Sequence, residues 1–117
     1  SLEKLRLQQN QFTGTLPPEY SVFPLTYLSL DYNNLTGPLP SEWTMAFGSL
    51  RHLSLNHNQL TGAPFGSDFD QWTSMKLLDI SSNQFSGFPV TFLSLQSLQE
   101  FNMSHNNFTA PLADMNS

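Results

Sequence analysis

Apolar residues recur along this chain with two superimposed periods. Leu2, Leu5 and Leu7 are followed by Leu25, Leu28 and Leu30, then by Leu50, Leu53 and Leu55. Met75, Leu78 and Ile80 come next, and Leu98, Phe101 and Met103 close the series. The last two members of each set are two residues apart, so on a strand they share one face while polar neighbours take the other. The pattern predicts one short strand in each of five repeats. An asparagine follows each set, at Asn10, Asn33, Asn58, Asn83 and Asn106, with intervals of 23, 25, 25 and 23 residues. Two residues later stands Phe12, Leu35, Leu60, Phe85 or Phe108, followed by Thr-Gly three times, then Ser-Gly and Thr-Ala. The stretch LSLDYNNLTG at 28–37 thus returns as LSLNHNQLTG at 53–62.

A fixed period of this length is the mark of a solenoid. One repeat cannot bury its apolar side alone, so successive repeats must stack, each adding a parallel strand to a common sheet. The asparagine amide has both donors and an acceptor. It is expected to turn inward and bond loop backbone in adjacent coils, where each orphaned group would otherwise cost about 1–3 kcal/mol. Gly14, Gly37, Gly62 and Gly87 recur at one place, which suggests a bend that a Cβ would hinder.

The second half of each repeat has its own register. Leu16 and Tyr20, Leu39 and Trp43, Phe65 and Phe69, and Phe88 and Phe92 are spaced by one helical turn. Val22, Phe47, Trp72 and Leu95 each stand three residues before the next repeat's first apolar position. Pro17-Pro18-Glu19 and Pro40-Ser41-Glu42 read as helix starts, since proline suits the first turn and glutamate suits the dipole. The segments are short, so single turns or 3₁₀ pieces are expected. Trp43 and Trp72 are assigned to core packing of that side.

The L-x-x-L-x-L-x-x-N pattern resembles the leucine-rich repeat family. The following L-T-G-x-L-P resembles its plant-type subclass, in which this turn implies a second short sheet beside the main one. Phe12–Pro17 and Leu35–Pro40 match in full, Leu60–Phe65 and Phe85–Pro89 more weakly, and Phe108–Leu112 departs at Ala110 and Pro111. A narrower likeness, carried by LTYLSLDYNNLTGPLPSEW and TGTLPPEY, is to the promastigote surface antigen repeats of kinetoplastid parasites. It implies an extracellular surface antigen that meets host proteins. The resemblance implies an α/β solenoid: a right-handed leucine-rich repeat coil with a parallel sheet on the concave face and 3₁₀ or short helical turns on the convex face. Residues 1–117 form a single domain of about five repeats, starting near residues 2, 25, 50, 75 and 98. No capping segment is evident and Asn116 breaks the last apolar pair. The expectation is a piece of a longer solenoid, or self-association through uncapped ends.

Composition narrows the function. Only 11% of residues are charged and the net charge is −5, with four basic residues in all. That argues against general nucleic-acid binding. The absence of cysteine excludes disulfides and thiolate metal sites. No apolar run approaches the ~20 residues of a membrane span. No cofactor is implied.

Lys4, Arg6, Arg51 and Lys76 all fall in the strand segments, as do His52, His57 and His105, whereas Glu19, Glu42, Asp68, Asp70 and Asp114 fall in the convex half. Charge is therefore sorted by face. Tyr27, Tyr32, His52 and His57 make a central aromatic patch, and tyrosine and arginine are common interface anchors. The expected partner-binding set is Lys4, Arg6, Tyr27, Asp31, Tyr32, His52, His57, Lys76 and Asp79, facing a protein ligand. Asp31, His57 and Ser82 come from successive strands and superficially match a Ser-His-Asp arrangement. An open sheet offers neither an oxyanion hole nor exclusion of water, so no enzyme activity is expected. No metal site is expected either.

Three sequons occur, at Asn34, Asn102 and Asn107. Asn34 and Asn107 share a slot just after the ladder asparagine, whereas Asn102 lies on a strand. The sequence is thus read as a non-enzymatic recognition module, cell-surface or secreted and glycosylated. The alternatives are an inhibitor of a secreted enzyme and a structural coat element.

Overall fold

The computed structural model describes residues 2–44, 46–62, 71–87 and 95–108. Strands β1 (Lys4–Arg6), β3 (Tyr27–Ser29), β5 (His52–Ser54), β7 (Leu77–Asp79) and β9 (Glu100–Asn102) form one five-stranded sheet in that order. Every pairing is parallel, and the register matches the repeat: Leu5 sits beside Leu28, Leu28 beside Leu53, Leu53 beside Leu78 and Leu78 beside Phe101. Each coil thus returns the chain to the next position in the sheet.

A second ribbon forms where the Thr-Gly turn predicts it. Strands β2 (Thr13–Thr15), β4 (Asn34–Gly37) and β6 (Gln59–Leu60) pair in parallel, as do β8 (Ser86–Gly87) and β10 (Asn107–Phe108). Backbone bonds join the two groups: Gln84 N–H donates to the Leu60 carbonyl at 2.7 Å and Ser86 N–H to that of Gly62 at 2.9 Å. Gly37 shows why glycine stands in this ribbon. Its φ is +83°, and a Cβ would lie 3.0 Å from Thr15 Cγ2.

The core lies between the sheets and the opposite wall. Leu28, Leu53, Leu55, Leu60, Met75, Leu78, Ile80 and Phe85 are all buried. The asparagine ladder binds neighbouring coils as expected. Asn58 Nδ2 donates to the carbonyls of Leu30 in the preceding coil (3.0 Å) and Leu55 in its own (3.1 Å), and its Oδ1 accepts the Leu35 N–H (3.0 Å). Asn33, Asn83 and Asn106 repeat this pattern. Asn10 is exposed, and among the described residues it bonds the carbonyls of Leu7 and Gln8 in its own coil.

On the back wall, 3₁₀ turns span Pro18–Val22 and Ser41–Trp43, and no α-helix occurs among the described residues. Pro17 and Pro40 sit just before these turns in extended conformation. Leu16 and Leu39 therefore precede the turns and do not share a helical face with Tyr20 and Trp43. Trp43 and Trp72 are core residues. Both are fully buried, and the indole N–H of Trp43 donates to the Pro17 carbonyl at 3.0 Å, that of Trp72 to the Trp43 carbonyl at 2.9 Å. Phe47 packs between their rings. Val22 departs from its expected register: it is 76% exposed, and Phe23 packs on the core instead. The first repeat is two residues shorter than the next, and its 3₁₀ turn carries Val22 outward. The pairs Phe65–Phe69 and Phe88–Phe92, the turn departures at Ala110 and Pro111, and Asp68, Asp70, Asp114 and Asn116 lie outside the described residues.

Candidate functional site

On each strand of the main sheet the middle residue points into the core and its two neighbours point outward. The outward pairs are Lys4 and Arg6, Tyr27 and Ser29, His52 and Ser54, Leu77 and Asp79, and Glu100 and Asn102. The parallel register sets these pairs side by side across the sheet. That adjacency brings together side chains about 25 residues apart in sequence.

The Tyr27 and His52 rings stack, with centroids 4.1 Å apart and planes 11° from parallel. The Arg6 guanidinium lies over the other face of Tyr27, its Cζ 4.6 Å from the ring centroid. Arg6, Tyr27 and His52 thus form one continuous stack over three coils, a cation–π contact followed by an aromatic one. A second stack runs beside it: Tyr32 and His57 lie 4.2 Å apart at 9°. These rings stand edge-up on the sheet, because they stack along the direction that separates strands. Their free edges therefore form the outer rim.

Backbone geometry helps present the second stack. The residue before each ladder asparagine is left-handed, with φ of 58° at Gln9, 60° at Tyr32 and His57, 54° at Ser82 and 57° at His105. This conformation is costly for a side chain, so the ladder must hold it. It turns Tyr32 and His57 outward, and both are exposed.

A hydrogen-bond motif that the sequence reading did not single out runs beneath these rings. Residues i and i+2 of a strand share a face, and here they bridge. The Ser29 hydroxyl donates to Asp31 Oδ1, and that of Ser54 to Asn56 Oδ1 at 2.6 Å. The order then reverses: Ser81 donates to Asp79 at 2.6 Å, and Ser104 to Asn102 at 2.9 Å. The signal was present in the sequence as S-x-D, S-x-N, D-x-S and N-x-S in one register. Asn56, with its oxygen engaged, presents its amide N–H to His57 Nδ1 at 2.9 Å.

Burial pushes the His52 imidazole below its ordinary pKa. Arg6 adds to that shift, while Asp31, Asp79 and Glu100 pull the other way. Burial therefore favours the neutral form of His52. Lys76 and Arg51 are exposed and sit just before their strands, at the leading edge of the sheet. Asp31, His57 and Ser82 make no hydrogen bond to one another among the described residues. Nor does any group of three or more His, Asp and Glu there have the arrangement to hold a metal ion.

The Leucine Rich Repeat family model matches residues 1–23, 24–45, 49–69, 74–95 and 97–115. The chain belongs to the leucine-rich repeat family. Comparison of this leucine-rich repeat chain with curated proteins returns no match. Among solved structures it is similar to a TDR receptor, at 33% identity and a TM-score of 0.84 over 92% of this chain and 18% of that one. It is also similar to the plant peptide hormone receptor RGFR1 in complex with RGF2, at 32% identity and a TM-score of 0.87 over 99% of this chain and 20% of that one. The BIR2 ectodomain from Arabidopsis thaliana matches at 29% identity and a TM-score of 0.83, over 91% of this chain and 56% of that one. The leucine-rich repeat chain thus spans about a fifth of the first two receptors. The narrower likeness to kinetoplastid surface antigens is not borne out; these similar structures are plant receptors and ectodomains. No helix among the described residues is long and apolar enough to cross a membrane.

Proposed function

We propose that this chain is a non-enzymatic recognition module, at a cell surface or outside the cell, that takes a peptide or protein partner on its main sheet. The observation that carries this reading is the Arg6–Tyr27–His52 stack beside the Tyr32–His57 stack. Stacked, rigid side chains lose little freedom on binding, and their rims offer hydrogen bonds, the combination that makes tyrosine and arginine effective anchors. Similarity to a peptide hormone receptor solved with its ligand supports a peptide as the class of partner. Lys4, Asp31, Lys76 and Asp79 frame the stacks and contribute charge. Asn34 and Asn107 are exposed at the starts of β4 and β10, away from the main sheet, and suit glycans. Asn102 lies on the sheet, where a glycan would cover its β9 end.

Selection of binders from a displayed library of random peptides tests the reading. Synthesised winners are expected to lose binding to Tyr27→Ser and His52→Ser and to keep it with Glu42→Gln on the back wall. Winners indifferent to both sheet substitutions would sink it.

A further inference from the structure

We propose that the partner is an extended, dipolar peptide lying across the strands. Its acidic residue sits at the β1 end over Lys4 and Arg6, and a lysine or arginine sits at the other end against Asp79 and Glu100. This rests on the sheet-face reading above and assigns the chemistry and direction of its ligand.

The outward positions carry a charge gradient. β1 offers two cations, Lys4 and Arg6; β3 and β5 offer Tyr27, Ser29, His52 and Ser54; β7 and β9 each offer one carboxylate, Asp79 and Glu100. None of these four charged side chains makes an ion pair among the described residues. The fold has not neutralised them, so they stay available to a partner. Asp79 Oδ1 accepts from the Ser81 backbone and hydroxyl, at 3.1 and 2.6 Å, and its other oxygen has no hydrogen-bond partner among the described residues. Asp31 is tied down by the Ser29 hydroxyl and lies beyond the end of its strand.

The two ends also differ in shape. Between β7 and β9 lies a cleft of about 360 Å³ lined by Leu77, Leu78, Asp79, Glu100, Phe101 and Asn102. Leu77, outward and half-buried beside these two carboxylates, suits a lysine or arginine, whose aliphatic stem packs on it while its head stays with the charge. In the middle, Ser29 and Ser54 are 3% and 8% exposed and give a low floor beside the rings. Their hydroxyls already donate to Asp31 and Asn56. The floor therefore admits backbone without demanding a particular side chain.

Strand spacing sets the length. β1 lies three strands from β7 and four from β9, about 14–19 Å away, which an extended chain covers in about four to six residues. Peptides enriched from the random library should carry an Asp or Glu about four to six residues from a Lys or Arg. For a synthesised winner, Glu100→Lys and Lys4→Glu should each weaken binding at least about tenfold at low salt, less at high salt. Asp79→Asn, which keeps the acceptor for Ser81, should weaken it in the same direction. Exchanging the peptide's cation for glutamate should restore binding to Glu100→Lys. Lys4 and Glu100 are exposed, and an unchanged melting temperature verifies that each variant folds. Winners that need Tyr27 but lack the spaced charge pair, or ignore both reversals, would overturn the dipolar ligand and leave the sheet-face reading standing. Winners that ignore Tyr27→Ser, or a library without winners, would overturn both.

Discussion

Two aromatic rows run through this solenoid, one on each wall, and they are built differently. On the back wall, Trp43, Phe47 and Trp72 are 0–1% exposed, meet at tilted angles of 50° and 39°, and each indole bonds a carbonyl of the preceding coil. On the sheet, Tyr27 with His52 and Tyr32 with His57 stack nearly parallel at the surface. The difference follows from geometry. Among the described residues the back wall has no strand register across its coils, so its rings meet at varied angles, from 15° between Tyr20 and Trp43 to 50° between Trp43 and Phe47. The sheet repeats at a uniform separation of about 4.8 Å, which forces rings in one column to lie face to face. The back row therefore belongs to stability, whereas the sheet row is free for recognition.

The largest expected effect breaks the back row. Trp43→Ala should cost about 3–5 kcal/mol through the cavity it leaves. That is a large share of the 5–15 kcal/mol typical of a domain. Tyr32→Ala, equally aromatic but 47% exposed, should change stability by no more than about 1 kcal/mol. Urea unfolding of both variants decides this, and equal losses would erase the contrast between the walls.

A second contrast lies within the ladder. Asn58→Ala leaves the carbonyls of Leu30 and Leu55 and the Leu35 N–H without their partner inside the stack. The cost should be about 2–4 kcal/mol. Asn10→Ala, at an exposed coil, should cost under about 1 kcal/mol. Matching midpoints for the two variants would mean that the ladder does not work between coils.

The sheet row should also give stability a pH dependence. His52 has a folded pKa below the ordinary value of 6.5, chiefly because burial disfavours the charged ring. The unfolded chain then takes up the proton first as pH falls below that value. Stability is full above 6.5 and declines as pH drops toward the folded pKa. His52→Gln should flatten that part of the profile, as followed by melting temperature against pH. An unchanged slope would show that other groups set it.

The smallest expected effect concerns the left-handed residues. Ser82→Gly removes a Cβ from a backbone at φ 54° and should gain up to about 0.5 kcal/mol, after the entropy glycine adds to the unfolded chain. A clear loss would mean that the Ser82 side chain supports the coil.

Much of this was readable before any coordinates. The apolar pairs, the asparagine ladder at Asn33, Asn58, Asn83 and Asn106, and the Thr-Gly ribbon each depend on similar residues at one recurring place, and each formed as expected. The back wall was less legible. Leu16–Tyr20 and Leu39–Trp43 have helical spacing, yet proline starts the turns after the first member of each pair. Val22 has the right distance to Leu25, but a shorter coil puts Phe23 in that role. At the candidate site, the columns that bring Tyr27 beside His52 could be written from the repeat. The serine bridges are harder to read in the sequence because their direction reverses between coils.

The sequence by itself determined the period, and with it the sheet, its register and the residues that face outward. Repetition is a local property, and every coil states it again. Only the tertiary structure decided how neighbouring coils use that register: Arg6 closing on Tyr27, the two rings stacking, and each indole reaching the preceding coil. These outcomes depend on what lies one coil away, roughly 5 Å in space and some 25 residues along the chain, and no single repeat carries that information.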